Sequence, residues 1–455
     1  MTTTVFKGNS PPVTSMEDLV RHFREGEKPR ERWRIGTEHE KLLFSRSTHQ
    51  PLPFGGERGI FAVLEGFRTR FGWQPVREGE NVIALTRGEA SITLEPGGQF
   101  ELSGAALASA HETCAELGVH VREMNAIADD LDVVLLMMGR NPVIPSAQMP
   151  WMPKERYAIM RRYLPTRGSM ALDMMLGTGT VQTNIDYADE ADMARKLRVS
   201  IGVSPFLTAL FASSPFVDGR PSGWVSSRAQ VWEHTDPDRS GFIPGVFEPG
   251  FGYQAYAEYA LDVPMFFIHR NGHYLDYSGR SFRRFLEEGL DGHQATAEDW
   301  ALHLTTLFPL VRLKQYIELR MADVGPLNMI CAFAALTRGL LYDDTALAEA
   351  EALVRELPPD QLPALQADAA RLGLRAEALG RSFQDWSRDL LRIAQAGLER
   401  LDVRDAMGEN EVKLLGPLQR IVASGQTLAD RLLELYETEW EQRIDAIFDS
   451  SLITF

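Results

Sequence analysis

Polar and apolar residues alternate along four stretches of this chain in a way that predicts strands with one buried face. Successive side chains on a strand point to opposite faces. In Val311–Met321 this puts Val311, Leu313, Ile317, Leu319 and Met321 on one side and Arg312, Lys314, Glu318 and Arg320 on the other. In Trp33–Leu42 the carboxylates Glu38 and Glu40 share a face, with His39 turned away from them. In Ala90–Glu95 and Gln99–Ser103 the apolar face is Ile92, Leu94, Phe100 and Leu102. The polar face there is Ser91, Thr93, Glu95, Gln99, Glu101 and Ser103. In Thr178–Asp186 it is Thr178, Thr180, Gln182, Asn184 and Asp186. Acidic and basic groups crowded opposite an apolar row suggest a sheet that lines a polar cavity.

Between these strands the pattern predicts helices near 59–71, from Ala105 to Asp130, over 154–163 and over 189–212, the last broken at Pro205. Pro96-Gly97-Gly98 and Arg270-Asn271-Gly272 read as turns. Residues 213–223 and 233–252 read as long loops, the kind that often carry function. Past Asp344 the chain is rich in Ala, Leu, Glu and Arg at helical spacing. The order of elements is α+β, with a helical C-terminal region.

If the four strands are neighbours, five carboxylates converge: Glu38, Glu40, Glu95, Glu101 and Glu318. Like charges at close range raise one another's pKa unless something positive intervenes. Oxygen donors without clustered His or Cys favour hard cations, Mg²⁺ or Mn²⁺. The interleaved Arg and Lys suit phosphate. Arg228 and Trp232 together could clamp a carboxylate-bearing substrate.

The gross properties narrow the field further. The 455 residues are 44% hydrophobic and 24% charged, as in ordinary globular proteins, and the net charge of −16 argues against nucleic acid or an anionic membrane as partner. No apolar run is long enough to span a bilayer, and the first fifteen residues lack a signal-like pattern. Cys114 and Cys331, the only cysteines, read as separate buried thiols in a reducing cytoplasm. There is no Walker loop, so any ATP site is of another kind.

Several stretches together resemble the plant and proteobacterial type of glutamate–cysteine ligase. They include Gly36-Thr37-Glu38-His39-Glu40-Lys41, Leu94–Gly104, Met152-Pro153-Lys154-x-Arg156-Tyr157, Thr180-Val181-Gln182-x-Asn184, Tyr259–Met265, Arg312-Leu313-Lys314 and Gly339–Asp343. The resemblance implies a glutamine-synthetase-like curved, mainly antiparallel catalytic sheet flanked by helices. Residues 1–343 would form the catalytic domain, with 344–455 packed on it. It implies ATP- and Mg²⁺-dependent joining of the L-glutamate γ-carboxylate to the amine of L-cysteine through γ-glutamyl phosphate, the first step to glutathione. On this basis Glu38, Glu40, Glu95, Glu101 and Glu318 are assigned to metal, and Lys41, Arg312, Lys314 and Arg320 to nucleotide phosphates. Gln99, Gln182, Asn184, Arg228 and Trp232 are assigned to the amino acid, and Glu101, Arg320 and Lys314 to catalysis. The expected partners are small molecules only, acting on a cytoplasmic monomer or homodimer. A related ligase with another amine acceptor, or a non-catalytic sensor on the same scaffold, would share the pattern. The chain departs from the family at Gly177-Thr178-Gly179-Thr180, where Arg-Thr-Cys-Thr is usual, and at Met321, where Gly is usual. Plant members are controlled by disulfides, and two cysteines so far apart in sequence are not expected to carry that control.

Overall fold

The computed structural model describes residues 10–454. The first nine residues of the stretch read as lacking a signal lie outside it. Nine strands form one sheet: β1 Ile35–Ser45, β2 Gln74–Glu78, β3 Asn81–Arg87, β4 Ala90–Leu94, β5 Phe100–Ser103, β6 Val133–Leu136, β7 Thr180–Ile185, β8 Val311–Leu313 and β9 Ile317–Asp323. Their order is β8-β9-β7-β1-β5-β4-β3-β2, with β6 beside the far half of β1. Every pairing in this sheet is antiparallel.

One face of the sheet is apolar and rests on helices. Ile35, Val181, Ile185, Ile317 and Leu319 join a core shared with α2 Glu190–Leu210, α4 Leu327–Leu341 and α5 Phe383–Leu401. Ile92, Leu94, Phe100 and Leu102 join a second core, under the helix Ile60–Phe71 and α1 Ala110–Leu131. Burial of each such side chain contributes roughly 1.5–3 kcal/mol. Ser109 starts α1 by accepting the Glu112 N–H at 3.1 Å, and Asp189 starts α2 by accepting that of Asp192 at 2.9 Å.

The α+β expectation holds, with local corrections. Val311–Met321 is a hairpin rather than one strand, turning at Lys314–Tyr316. Val311 pairs with Leu319 and Leu313 with Ile317, so both arms keep the predicted faces. Pro205 does not break α2: residues 199–210 are buried, and packing offsets the roughly 3 kcal/mol a helix-interior proline costs. The turn after β4 is a hairpin corner in which Gly98 holds φ +87°, open to glycine but strained for other residues.

The cysteines correct a larger expectation. Cys114 on α1 and Cys331 on α4 are joined as a disulfide, with Cα atoms 5.5 Å apart across 217 residues of sequence. Nearby, Glu411 accepts the Ala110 N–H at 2.7 Å and the Arg338 Nε at 2.9 Å, tying the C-terminal region to the same two helices. Farther on, Ile453 accepts the Met137 N–H at 2.8 Å and Thr454 pairs with Leu136, lining the edge of β6. Among the described residues no helix is long and apolar enough to cross a membrane.

Candidate active site

Register brings the polar residues of separate strands into rows on the face away from the main helices. Glu40 on β1 stands opposite Glu101 on β5, which stands opposite Thr93 on β4. Glu38 stands between Gln182 on β7 and Ser103 on β5. Glu318 on β9 stands between Arg312 on β8 and Asn184 on β7. Glu38, Glu101 and Glu318 are buried, and Glu40 is partly buried. Each is held locally: Thr93 Oγ1 donates to Glu101 at 2.8 Å, Asn184 Nδ2 to Glu38 at 2.9 Å, and the Thr180 N–H to Glu40 at 3.1 Å.

The electrostatics split along the sheet. Burial, reinforced by Glu101 and Glu95, pushes the Glu40 carboxyl well above its ordinary range. Burial, followed by the charges of Glu318 and Glu101, raises Glu38. Burial would raise Glu318 as well, but Arg312, Lys314 and Arg320 outweigh it and hold Glu318 well below. Arg312 meets it with both edges, Lys314 Nζ lies 2.9 Å away, and Arg320 donates to it too. Three cations around one carboxylate leave positive charge to spare, next to two carboxylates that resist ionising. That is a setting for a polyanion that carries its own counter-cation.

Between them lies a cavity walled by Glu40, Glu95, Gln99, Thr180, Gln182, Arg228, Trp232, Phe308 and Arg320, with Met174 and Met175 on its apolar side. Arg228 and Trp232 come from α3 Ser227–Glu233. The Arg228 Nη2 donates to Thr180 Oγ1 at 2.9 Å and to the Arg320 carbonyl at 2.8 Å, leaving Nε buried without a partner. Burial lowers its pKa to about 10, against the pull of Asp323 and Glu40. Two guanidiniums lie near the Trp232 ring, Arg228 at 5.8 Å and Arg320 at 5.9 Å from its centroid, and its indole N–H is also buried and unpartnered.

Some predicted residues stand elsewhere or are otherwise engaged. Lys41 is not brought to the cavity. It pairs with Phe100, on the apolar face with His39, and its Nζ reaches the His39 carbonyl at 3.4 Å beneath α1. Gln99 lines the cavity, but its amide accepts the Gly97 N–H and donates to the Met175 and Thr178 carbonyls. Gln182 accepts from Arg320 at 2.6 Å. Sequence reasoning missed Phe308, Met174 and Met175, which no periodicity marks. Thr180 was visible on its polar face without a role.

The donor set suits a hard cation in kind. The oxygens belong to carboxylates, and Glu95 Oε1 is buried without a hydrogen-bond partner. Among the described residues no three His, Cys, Asp or Glu side chains form a ready-made metal cage. Mg²⁺ is commonly bound by one or two carboxylates plus substrate phosphates.

Comparison with known proteins decides the family. The model of glutamate-cysteine ligase family 2 (GCS2) matches residues 34–450. The chain belongs to this family. It is 44% identical over 444 residues to the chloroplastic glutamate–cysteine ligase of Brassica juncea, an alignment covering 97% of this chain and 84% of that protein. It is 43% identical to ligase B of Oryza sativa subsp. japonica, covering 97% and 88%. The fold of this family-2 ligase chain also resembles the glutamate–cysteine ligase of Francisella tularensis in complex with AMP. There the TM-score is 0.57 at 13% identity, covering 92% of this chain and 87% of that one. The expectation of a cytoplasmic protein is corrected here: these plant relatives are chloroplast proteins, and the paired cysteines remove the argument from free thiols.

Proposed function

We propose that this chain is a glutamate–cysteine ligase that uses ATP to join the γ-carboxylate of L-glutamate to the amine of L-cysteine, opening the route to glutathione. One observation carries the reading at the level of chemistry. Buried carboxylates on β1 and β5 stand in register beside the cation-ringed Glu318, and next to both lie the Arg228 and Trp232 that can hold an amino acid.

A γ-carboxylate oxygen of glutamate attacks the γ-phosphorus of ATP, the bond to the bridging oxygen breaks, and ADP leaves. The neutral amine then attacks the acyl phosphate carbonyl. Phosphate departs with the electron pair of its C–O bond, and the nitrogen loses a proton to become the amide. Arg312, Lys314 and Arg320 offer positive charge to the phosphates, with Arg320 nearest the amino-acid end through Gln182. Arg228 and Trp232 orient the glutamate so that the carboxylate meets phosphorus in line. Glu40 and Glu95, the two carboxylates that line the cavity, would hold a divalent cation together with the substrate phosphates, and the bound cation would neutralise charge on the phosphate oxygens. Glu318, already ringed by cations, acts in this scheme as the anchor that aims them.

Purified protein supplied with ATP, glutamate and a panel of amines tests this. Cysteine should give the highest kcat/KM, with ADP and phosphate released in step. Another preferred acceptor refutes the cysteine assignment. Glu101→Gln should abolish ADP release with the fold intact, and unchanged turnover removes Glu101 from the phosphate-transfer site.

A further inference from the structure

Asp323 ends β9 and is almost fully buried, yet the reaction above gives it no part. Its two oxygens accept three hydrogen bonds from a segment distant in sequence. Oδ2 takes the Ser213 N–H at 3.0 Å and the Ser214 hydroxyl at 2.6 Å, and Oδ1 takes the Ser226 hydroxyl at 2.8 Å. Two of these serines also hold the first turn of α3. Ser226 is its cap, with Oγ accepting the Ala229 N–H at 3.2 Å, and Ser214 Oγ accepts the Arg228 N–H at 3.2 Å. The strand before Asp323 completes the ring, because the carbonyls of Arg320 and Met321 accept from the Arg228 guanidinium. The missing side chain of Gly139 leaves room for the carboxylate, since a Cβ there would come within 2.2 Å of Asp323 Cγ.

We propose that Asp323 is a positioning residue: through Ser214 and Ser226 it fixes the helix start that aims Arg228 and Trp232 into the cavity. A buried carboxylate is costly unless its oxygens are satisfied, and here the satisfying donors are those that set α3. β9 contributes Glu318 and Arg320 toward the phosphates and Asp323 toward the amino-acid clamp, so one strand sets the two halves of the site relative to each other. Two residues of β9, Arg320 and Met321, fall where the register with β7 shifts, and this irregularity separates the two duties.

The inference rests on the reading that Arg228 and Trp232 hold the glutamate, and the test separates the two. A double-mutant cycle combines Asp323→Asn with Arg228→Lys and measures KM for glutamate, KM for ATP and kcat. Asp323→Asn should raise the glutamate KM by about tenfold while ATP KM stays within about twofold, the worth of one charge-assisted hydrogen bond felt at the clamp alone. The double variant should be no worse than Arg228→Lys alone. Ser214→Ala, which removes only the bridging hydroxyl, should shift glutamate KM in the same direction and serves if Asp323→Asn does not fold. If Arg228→Lys raises glutamate KM but the effects simply multiply, Asp323 acts elsewhere and the inference falls while the clamp stands. If Arg228→Lys leaves glutamate KM unchanged, the clamp assignment falls and takes this inference with it.

Discussion

Arg312 and Glu318 face one another across the β8–β9 hairpin, with Nη2 donating to Oε1 at 2.7 Å and Nε to Oε2 at 3.2 Å. The pair is buried, and Lys314 and Arg320 crowd the same carboxylate. Removing one partner of a buried ion pair leaves uncompensated charge and typically costs about 3–5 kcal/mol. Glu318→Gln should therefore lower the melting temperature sharply. Tripolyphosphate should restore part of the loss in the variant, because it supplies the missing negative charge. Calorimetry with and without the anion checks this, and a variant as stable as wild type contradicts the proposed role of Glu318 as anchor.

Glu40 predicts a pH dependence. Its folded pKa is raised above the ordinary 4.5, first by burial and then by Glu101 and Glu95. The folded state thus binds its proton more tightly than the unfolded state. The associated stability is complete below the ordinary pKa and is lost as pH rises through the folded one. Glu40→Gln should melt higher than wild type at neutral pH and show a flatter decline above pH 4.5, while losing at least about 100-fold in turnover. Parallel melting curves for the two proteins contradict the assignment.

Trp232 has two guanidiniums within 6 Å of its ring centroid, at 5.8 and 5.9 Å, and keeps an unpartnered indole N–H. Trp232→Phe keeps a ring but removes the donor and weakens the cation–π contacts. Glutamate KM should rise by about 5- to 10-fold with little change in ATP KM. Steady-state kinetics with each substrate varied in turn measures the split.

The disulfide gives a prediction about stability. Dithiothreitol should lower the melting temperature of the oxidised wild type by an amount equivalent to roughly 2–4 kcal/mol, and should leave Cys114→Ser unchanged. Identical responses of the two proteins to reductant rule out the Cys114–Cys331 link.

The polar face of the sheet was legible because alternation needs only local sequence. Once Glu38, Glu40, Glu101 and Glu318 fell on polar faces, antiparallel pairing placed them in rows. Lys41 shows the opposite lesson. Alternation puts it with His39 on the apolar side, and the family resemblance overrode that rule when it assigned Lys41 to phosphate. The 311–321 hairpin looked like one strand because its turn preserves parity between the arms. The cysteine pair and the Asp323 network were invisible for another reason. Each depends on partners about 100 to 200 residues away, brought together by helix packing that no local pattern encodes.

Ile453 and Thr454 lie against the edge of β6, and Glu411 locks onto Arg338 and Ala110. A ribosome making this chain in order would deliver the carboxylate strands first and their final braces last. The growing polypeptide would carry that charged surface, complete once Asp323 is made, until residue 411 and then residue 453 emerge to brace it. A nick that freed residues 450–454 would reopen that β6 edge to pairing with stray strands, so proteolysis there would threaten solubility before it touched chemistry.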